Sequence, residues 1–140
     1  MLLNYHNYTS LVSELESLVE SYPHLARIYS VGKSVQEREL LVIHISEGVT
    51  EVKIYFLNHI EPLISFAPKG ERVRLKPMVK LIANMHGNEV VGRELMLAFA
   101  AYLLENFETD ERVRKIVSQT DIHIMPSLNP DGRLYARIYC

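Results

Sequence analysis

A histidine and a glutamate lie three residues apart where a strand-like pattern gives way to a helical one. The apolar run 80–85 leads into His86, Gly87 permits a tight backbone path, and an apolar helical pattern begins near Glu89. Imidazole and carboxylate groups are ligands of catalytic zinc ions, which keep one coordination position open. In α/β proteins, ligands collect outside the carboxyl ends of the strands. The pair could therefore supply two zinc ligands, and a third ligand would be needed.

The spacing alone is weak evidence, because a chain with six histidines and 17 acidic residues contains about 0.7 such pairs by chance. A second pair, His44 and Glu47, has the same spacing. His44 lies inside a predicted strand and Glu47 beyond its end, so their side chains should diverge and a structural role is expected. For the first pair, the alternative is that Glu89 favours the helix N-terminus through the helix dipole and His86 is a hydrogen-bonded polar residue.

No remaining histidine is an obvious third ligand. His123 is flanked by isoleucines on a predicted strand, which favours a core or sheet-face position, and His6, His24 and His59 lie in predicted surface segments. The chain has one cysteine, Cys140, which excludes an intramolecular disulfide and a cysteine-based zinc site. The serines lie in no nucleophile-elbow motif, and no phosphate-binding glycine loop is present.

The composition predicts one globular domain. The chain has 140 residues, of which 48% are hydrophobic and 23% charged. The net charge of -2 and the lack of a basic cluster argue against nucleic-acid binding. We expect no membrane span, because no uncharged run is long enough, and no signal peptide, because polar residues follow Leu3 immediately.

Hydrophobic periodicity predicts alternating helices and strands. A first helix carries leucines at positions 11, 15 and 18, could be capped by Asn7 or Thr9, and is stopped by Pro23. Two further helices are expected, a long one apolar nearly all round, which should be buried, and a short exposed one. This order indicates an α/β sandwich around a mixed or mainly parallel sheet. The predicted strands are 26–31, 40–45, 77–83 and 121–125, and the later helices are 89–107 and 110–118.

Two stretches fit this pattern poorly. Residues 50–70 form a connection that is unusually long for a compact domain, yet they are too apolar for a solvated loop. Residues 133–140 begin a new segment after Asn129-Pro130-Asp131-Gly132, which predicts a β-turn.

Five segments together resemble the M14 family of zinc metallocarboxypeptidases, in the regulatory subgroup that includes carboxypeptidases D, E, M and N. They occur in the family's order and cover most of the chain apart from the two poorly fitting stretches. The resemblance indicates that residues 1–140 are the N-terminal portion of a carboxypeptidase domain. Relative to the family, it implies that residues 50–70 are an atypical insertion and residues 133–140 a divergent tail. The segments are 4–8, 31–35, 40–43, 83–95 and 122–132.

The resemblance implies a partial α/β/α sandwich with a central mixed sheet, and it implies that His86 and Glu89 are ligands of one Zn²⁺ ion. In such enzymes the zinc polarises the scissile carbonyl and activates a water molecule. The implied activity is release of C-terminal residues, arginine or lysine, from peptides or proteins in the secretory pathway or outside the cell.

The family's third zinc ligand, general base and oxyanion arginine have no matching positions in these 140 residues. The resemblance therefore assigns no catalytic residue to this chain and leaves its substrate-binding residues unknown. Two hypotheses remain open: the chain is part of an active carboxypeptidase, or by itself it is a non-catalytic fragment or a binding-only product.

Overall fold

The computed structural model describes residues 5–49 and 76–132, which form three helices and four strands. The poorly fitting stretches 50–70 and 133–140 lie outside the described residues, as do His59 and Cys140. In chain order the elements are α1 (Tyr8–Ser21), β1 (Ala26–Lys33), β2 (Glu39–Ile45), β3 (Met78–Ile82), α2 (Val90–Glu105), α3 (Glu111–Gln119) and β4 (Asp121–Met125).

Helix α1 begins and ends where its sequence signals predict. The side chain of Asn7 accepts a hydrogen bond from the Ser10 N–H at 2.8 Å, which satisfies one of the free donors of the first turn. Leu11, Leu15 and Leu18 are buried on one face. The predicted cap at Asn7 is therefore confirmed. The helix ends at Ser21, two residues before Pro23, as predicted.

The four strands form one mixed sheet in the order β1-β2-β4-β3. β1 and β2 are an antiparallel hairpin, and β4 pairs antiparallel with β2 and parallel with β3. The predicted mixed sheet is therefore confirmed. The parallel pair matters most for function, because it brings the carboxyl ends of β3 and β4 to the same edge of the sheet.

The two faces of the sheet carry different side chains, because neighbouring strand residues point to opposite sides. Ile43 and Ile45 of β2 join Ile122 and Ile124 of β4 in a buried cluster with residues of all three helices. The opposite face carries polar side chains, among them the buried His44 and His123. Among residues 5–49 and 76–132, the helices pack on the isoleucine face.

Helix α2 differs from its prediction. One face is buried in the core through Leu97, Ala100, Leu103 and Leu104, but an apolar stripe along the helix is exposed. The predicted burial of this helix is therefore observed on one face only. When most positions of a helix are apolar, the sequence pattern does not show which of its faces are packed against other elements. The exposed residues of α2 are Val91, Leu95, Phe99 and Tyr102.

No described helix combines the length and apolarity that a membrane-crossing segment needs.

Candidate metal site

The predicted pair lies at the edge of the sheet where β3 and β4 end side by side. The parallel pairing continues beyond the strands. The Ala83 N–H donates to the Met125 carbonyl and the Leu128 N–H donates to the Ala83 carbonyl, each at 3.0 Å. The connection from β3 to α2, residues 83–89, is therefore held against the segment that follows β4.

His86 and Glu89 occupy one tight turn in this connection. The Glu89 N–H donates to the His86 carbonyl at 3.0 Å, and α2 begins at Val90. Both side chains are exposed. The predicted change from strand to turn to helix is confirmed. The residue with left-handed backbone is Asn84, with φ of 51°, whereas the described glycines with positive φ do not include Gly87.

The donor set of this turn fits part of a zinc site. Glu89 is the N-cap residue of α2, but its carboxylate makes no capping hydrogen bond. The His86 ring likewise has no hydrogen bond or ion pair with any residue in the described ranges. An exposed imidazole and an exposed carboxylate on one turn are suitable zinc ligands. The described part of the chain contains no group of three metal-ligating side chains, so no third ligand joins them there.

Asn84 is a site residue that the motif analysis did not single out. Its side chain is 3% exposed. Its amide nitrogen lies 2.8 Å from the His86 carbonyl oxygen and 3.2 Å from that of Glu89, and its amide oxygen accepts from Ser127 Oγ at 2.8 Å. An asparagine directly after a strand pattern is the available signal, because asparagine tolerates the left-handed backbone better than most residues.

The Asn129–Gly132 segment ties the same edge of the sheet to the β1–β2 hairpin. The Asp131 carboxylate accepts hydrogen bonds from the Ser34 hydroxyl, the Gln36 N–H and the Arg38 guanidinium. Burial raises the pKa of Asp131, but these hydrogen bonds and the charge of Arg38 together lower it below its usual value. Asp131 is therefore an anionic anchor for the hairpin.

The backbone of this segment differs from the predicted β-turn. Residues 130–132 adopt a helical turn. The side-chain oxygen of Asn129 accepts from the Gly132 N–H at 2.8 Å, which is the capping contact of a helix start. Asparagine, proline, aspartate and glycine are common both in β-turns and at helix starts. The sequence therefore did not distinguish these two conformations.

Three further histidines, His6, His44 and His123, make structural contacts. His44 and His123 are both buried and stack face to face on adjacent strands, with ring centroids 4.1 Å apart. The expected structural role of His44 and the sheet-face position of His123 are confirmed. His6 lies in a surface segment, as predicted, but its side chain is half-buried. It hydrogen-bonds the buried Glu94 of α2 through its backbone N–H and its ring.

The stacked pair is held in the neutral form by its surroundings. Arg27 Nε donates to His44 Nδ1 at 3.0 Å, so that nitrogen must be unprotonated. Burial, followed by the charge of Arg27, lowers the pKa of His44 to about 4, although Asp121 acts in the opposite direction. Burial, followed by the charge of His44, lowers the pKa of His123 to about 4. Lys76 also opposes protonation of His44, and Lys80 that of His123.

We expect the protein to lose stability as the pH falls from about 6.5 towards 4. The unfolded chain binds protons on both imidazoles near pH 6.5, whereas folded His44 and His123 resist protonation until about pH 4. The free energy of unfolding, measured by urea titration at several pH values, should fall by about 2 kcal/mol for the pair after allowance for solvent screening.

The variant His123→Phe should remove about half of this pH slope, even if loss of the Tyr29 hydrogen bond lowers stability at every pH. His24→Phe, at an exposed turn between α1 and β1, is the matched control and should leave the slope in place. An unchanged slope in His123→Phe would contradict the proposed origin of the acid sensitivity.

Comparison with known proteins finds one family. The sequence matches the M14 zinc carboxypeptidase family over residues 11–139. It is 42% identical over 128 residues to carboxypeptidase D of Drosophila melanogaster, and 43% identical over 131 residues to human carboxypeptidase D. These alignments cover 91% and 92% of this chain, respectively, but only 8% of each relative, so the chain spans a small part of their length.

Solved structures agree on the fold. The carboxypeptidase A of Helicoverpa armigera superimposes with a TM-score of 0.68 at 21% sequence identity, covering 96% of this chain and 27% of that chain. At this identity, the likeness supports the α/β fold with its central mixed sheet and nothing finer. The sequence match covers residues 84–89 and the Asn129–Gly132 segment as well as the sheet. The chain therefore belongs to the zinc carboxypeptidase family.

Proposed function

We propose that this chain contributes the first half of the zinc site of a metallocarboxypeptidase, with His86 and Glu89 as two of the zinc ligands. The observation that carries the proposal is their position: both side chains are exposed on one turn where β3 and β4 end side by side. Ligands gather at this edge of α/β sheets. Membership of the zinc carboxypeptidase family supports the choice of metal.

The proposed reaction is hydrolysis of the last peptide bond of a peptide or protein. Bound zinc would supply a Lewis acid for the scissile carbonyl and would activate water. The residues of this chain would hold the metal, and the hydrogen-bonded edge around Asn84 and Asp131 would keep the turn in place. Release of arginine or lysine, and action in the secretory pathway or outside the cell, belong to the same proposal and follow from the resemblance to the regulatory subgroup.

A second candidate is that the 140-residue chain by itself is non-catalytic. The observation that favours it is that no third metal ligand accompanies His86 and Glu89 among the residues with described positions. Two protein ligands hold zinc weakly, and catalysis also requires groups that orient the substrate and transfer protons. We therefore propose carboxypeptidase chemistry for the protein that contains the complete domain and no activity for this chain alone.

The two candidates predict different results for the purified chain with a peptide that ends in arginine. We expect no release of arginine at saturating Zn²⁺, measured by mass spectrometry of the peptide over several hours. A second peptide ending in leucine tests whether another residue is released instead. Arginine release that a chelator abolishes, and that His86→Ala lacks, would contradict the non-catalytic candidate and support the active one.

A further inference from the structure

The side-chain amide of Asn84 lies against the backbone of the turn that carries both proposed ligands. Its nitrogen is 2.8 Å from the His86 carbonyl oxygen, 3.2 Å from that of Glu89 and 3.4 Å from that of Gly87. An asparagine amide has two N–H donors, so these three carbonyls share two hydrogens. One buried group therefore contacts the main chain of both proposed ligands.

The surroundings determine the orientation of this amide. The carbonyl oxygens of the turn can only accept, so the amide nitrogen must face them, and Asn84 Oδ1 accepts from the Ser127 hydroxyl at 2.8 Å on the other side. Ser127 is itself buried, two residues after the end of β4. The backbone carbonyl of Asn84 accepts from the Asn129 N–H at 3.0 Å. The position of the turn thus depends on the strand next to it.

The backbone of Asn84 explains why an asparagine suits this position. Its φ of 51° lies in the left-handed region, where most side chains are strained and glycine and asparagine are best tolerated. Glycine would accept the same backbone but has no amide. Aspartate would keep the size of the side chain but would present an acceptor to three carbonyl oxygens. The site requires both a left-handed residue and a side-chain donor.

We propose that Asn84 is a positioning residue for the metal site, and that Ser127 orients it. By holding the carbonyls of His86 and Glu89, the amide fixes the turn in the conformation that presents imidazole and carboxylate to one ion. The conformational entropy of these ligands is then lost during folding, so its loss does not weaken metal binding. This inference rests on the proposed function, because it takes His86 and Glu89 to be the zinc ligands.

The test measures Zn²⁺ affinity by calorimetry with zinc chloride, using the 140-residue chain and its variants. Asn84→Gly should lower affinity by about 10- to 100-fold, Asn84→Asp by a similar factor, and Ser127→Ala by several-fold. Asn106→Gly is the matched control, because the Asn106 amide bonds a carbonyl at the far end of α2. It should leave zinc affinity unchanged.

Two further measurements separate positioning from general stabilisation. The metal-free melting temperature reports whether each variant folds, and the exchange rate of the Glu89 amide hydrogen reports whether the turn has loosened. We expect Asn84→Gly to accelerate this exchange while exchange in β4 stays slow. Wild-type zinc affinity in a folded Asn84→Gly would overturn the inference. If that variant does not fold, wild-type affinity in Ser127→Ala would overturn it.

The outcomes also distinguish failure of this inference from failure of the proposed function. Equal zinc affinity in the wild type and His86→Ala would show that this turn does not bind the ion, and both proposals would fall. Loss of binding in His86→Ala together with unchanged binding in Asn84→Gly would leave the zinc ligands in place and remove only the positioning role.

Discussion

Replacing His86 by alanine should lower the Zn²⁺ affinity of the chain by more than about 100-fold. Among the described residues, no third metal ligand accompanies the pair. Without His86 the turn keeps only the Glu89 carboxylate, and a single carboxylate binds zinc weakly. Competition with a chromogenic chelator measures the change directly.

Glu89→Gln tests the second ligand with little change in shape. It keeps the size of the side chain and a carbonyl oxygen but loses the negative charge, so we expect a loss of affinity close to that of His86→Ala. Glu89 makes no capping hydrogen bond in α2, so stability should change by less than about 1 kcal/mol through the helix dipole. His24→Ala removes a distant, exposed histidine and serves as the control. Equal binding by all three variants and the wild type would refute the assignment of the zinc ligands.

Replacing Glu94 by alanine should destabilise the protein by about 3 to 5 kcal/mol. The Glu94 carboxylate is 5% exposed and accepts hydrogen bonds from Arg93 and from the backbone and ring of His6. Arg93 is only 1% exposed. Alanine would leave its guanidinium buried without this carboxylate and would release the N-terminal segment from α2. Urea unfolding monitored by circular dichroism measures the loss.

Glu105→Ala, on an exposed face of the same helix, is the matched control and should change stability by less than about 0.5 kcal/mol. His6→Ala should cost less than Glu94→Ala, because it removes the ring contact but keeps the backbone N–H and the pairing with Arg93. If Glu94→Ala were as stable as Glu105→Ala, the contacts of Glu94 with Arg93 and His6 would not contribute to stability as proposed.

Local signals in the sequence were sufficient where one short segment determines the result. Asn7 caps α1 because its side chain bonds a backbone group three residues away. The segment 121–125, in which isoleucines alternate with polar residues, predicts β4 with the observed bounds. The turn between β3 and α2 was predicted because strand periodicity ends just before His86 and helical periodicity begins just after Glu89. All of these depend on neighbours in the chain.

The motif that resembles the family was equally visible in the sequence, but the hydrogen bonds that hold its turn in place were not. Asn84 looked like one residue of a motif, and its role depends on Ser127, 43 positions later in the chain. His6 was predicted to lie in a surface segment, but nothing local indicated its contact with Glu94, which is 88 positions away. Helix α2 was predicted to be buried because it is apolar nearly all round, yet Leu95 is exposed. Composition alone could not distinguish its covered and uncovered sides.

The sequence by itself determined the helices and strands of this protein, its family resemblance and the position of the His86–Glu89 pair, because local backbone preferences and short motifs depend on adjacent residues. Only the tertiary structure decided that β4 lies between β2 and β3. That order stacks His44 on His123 and brings Ser127 to Asn84. These contacts join residues far apart in the chain, and their geometry exists only once the strands have paired.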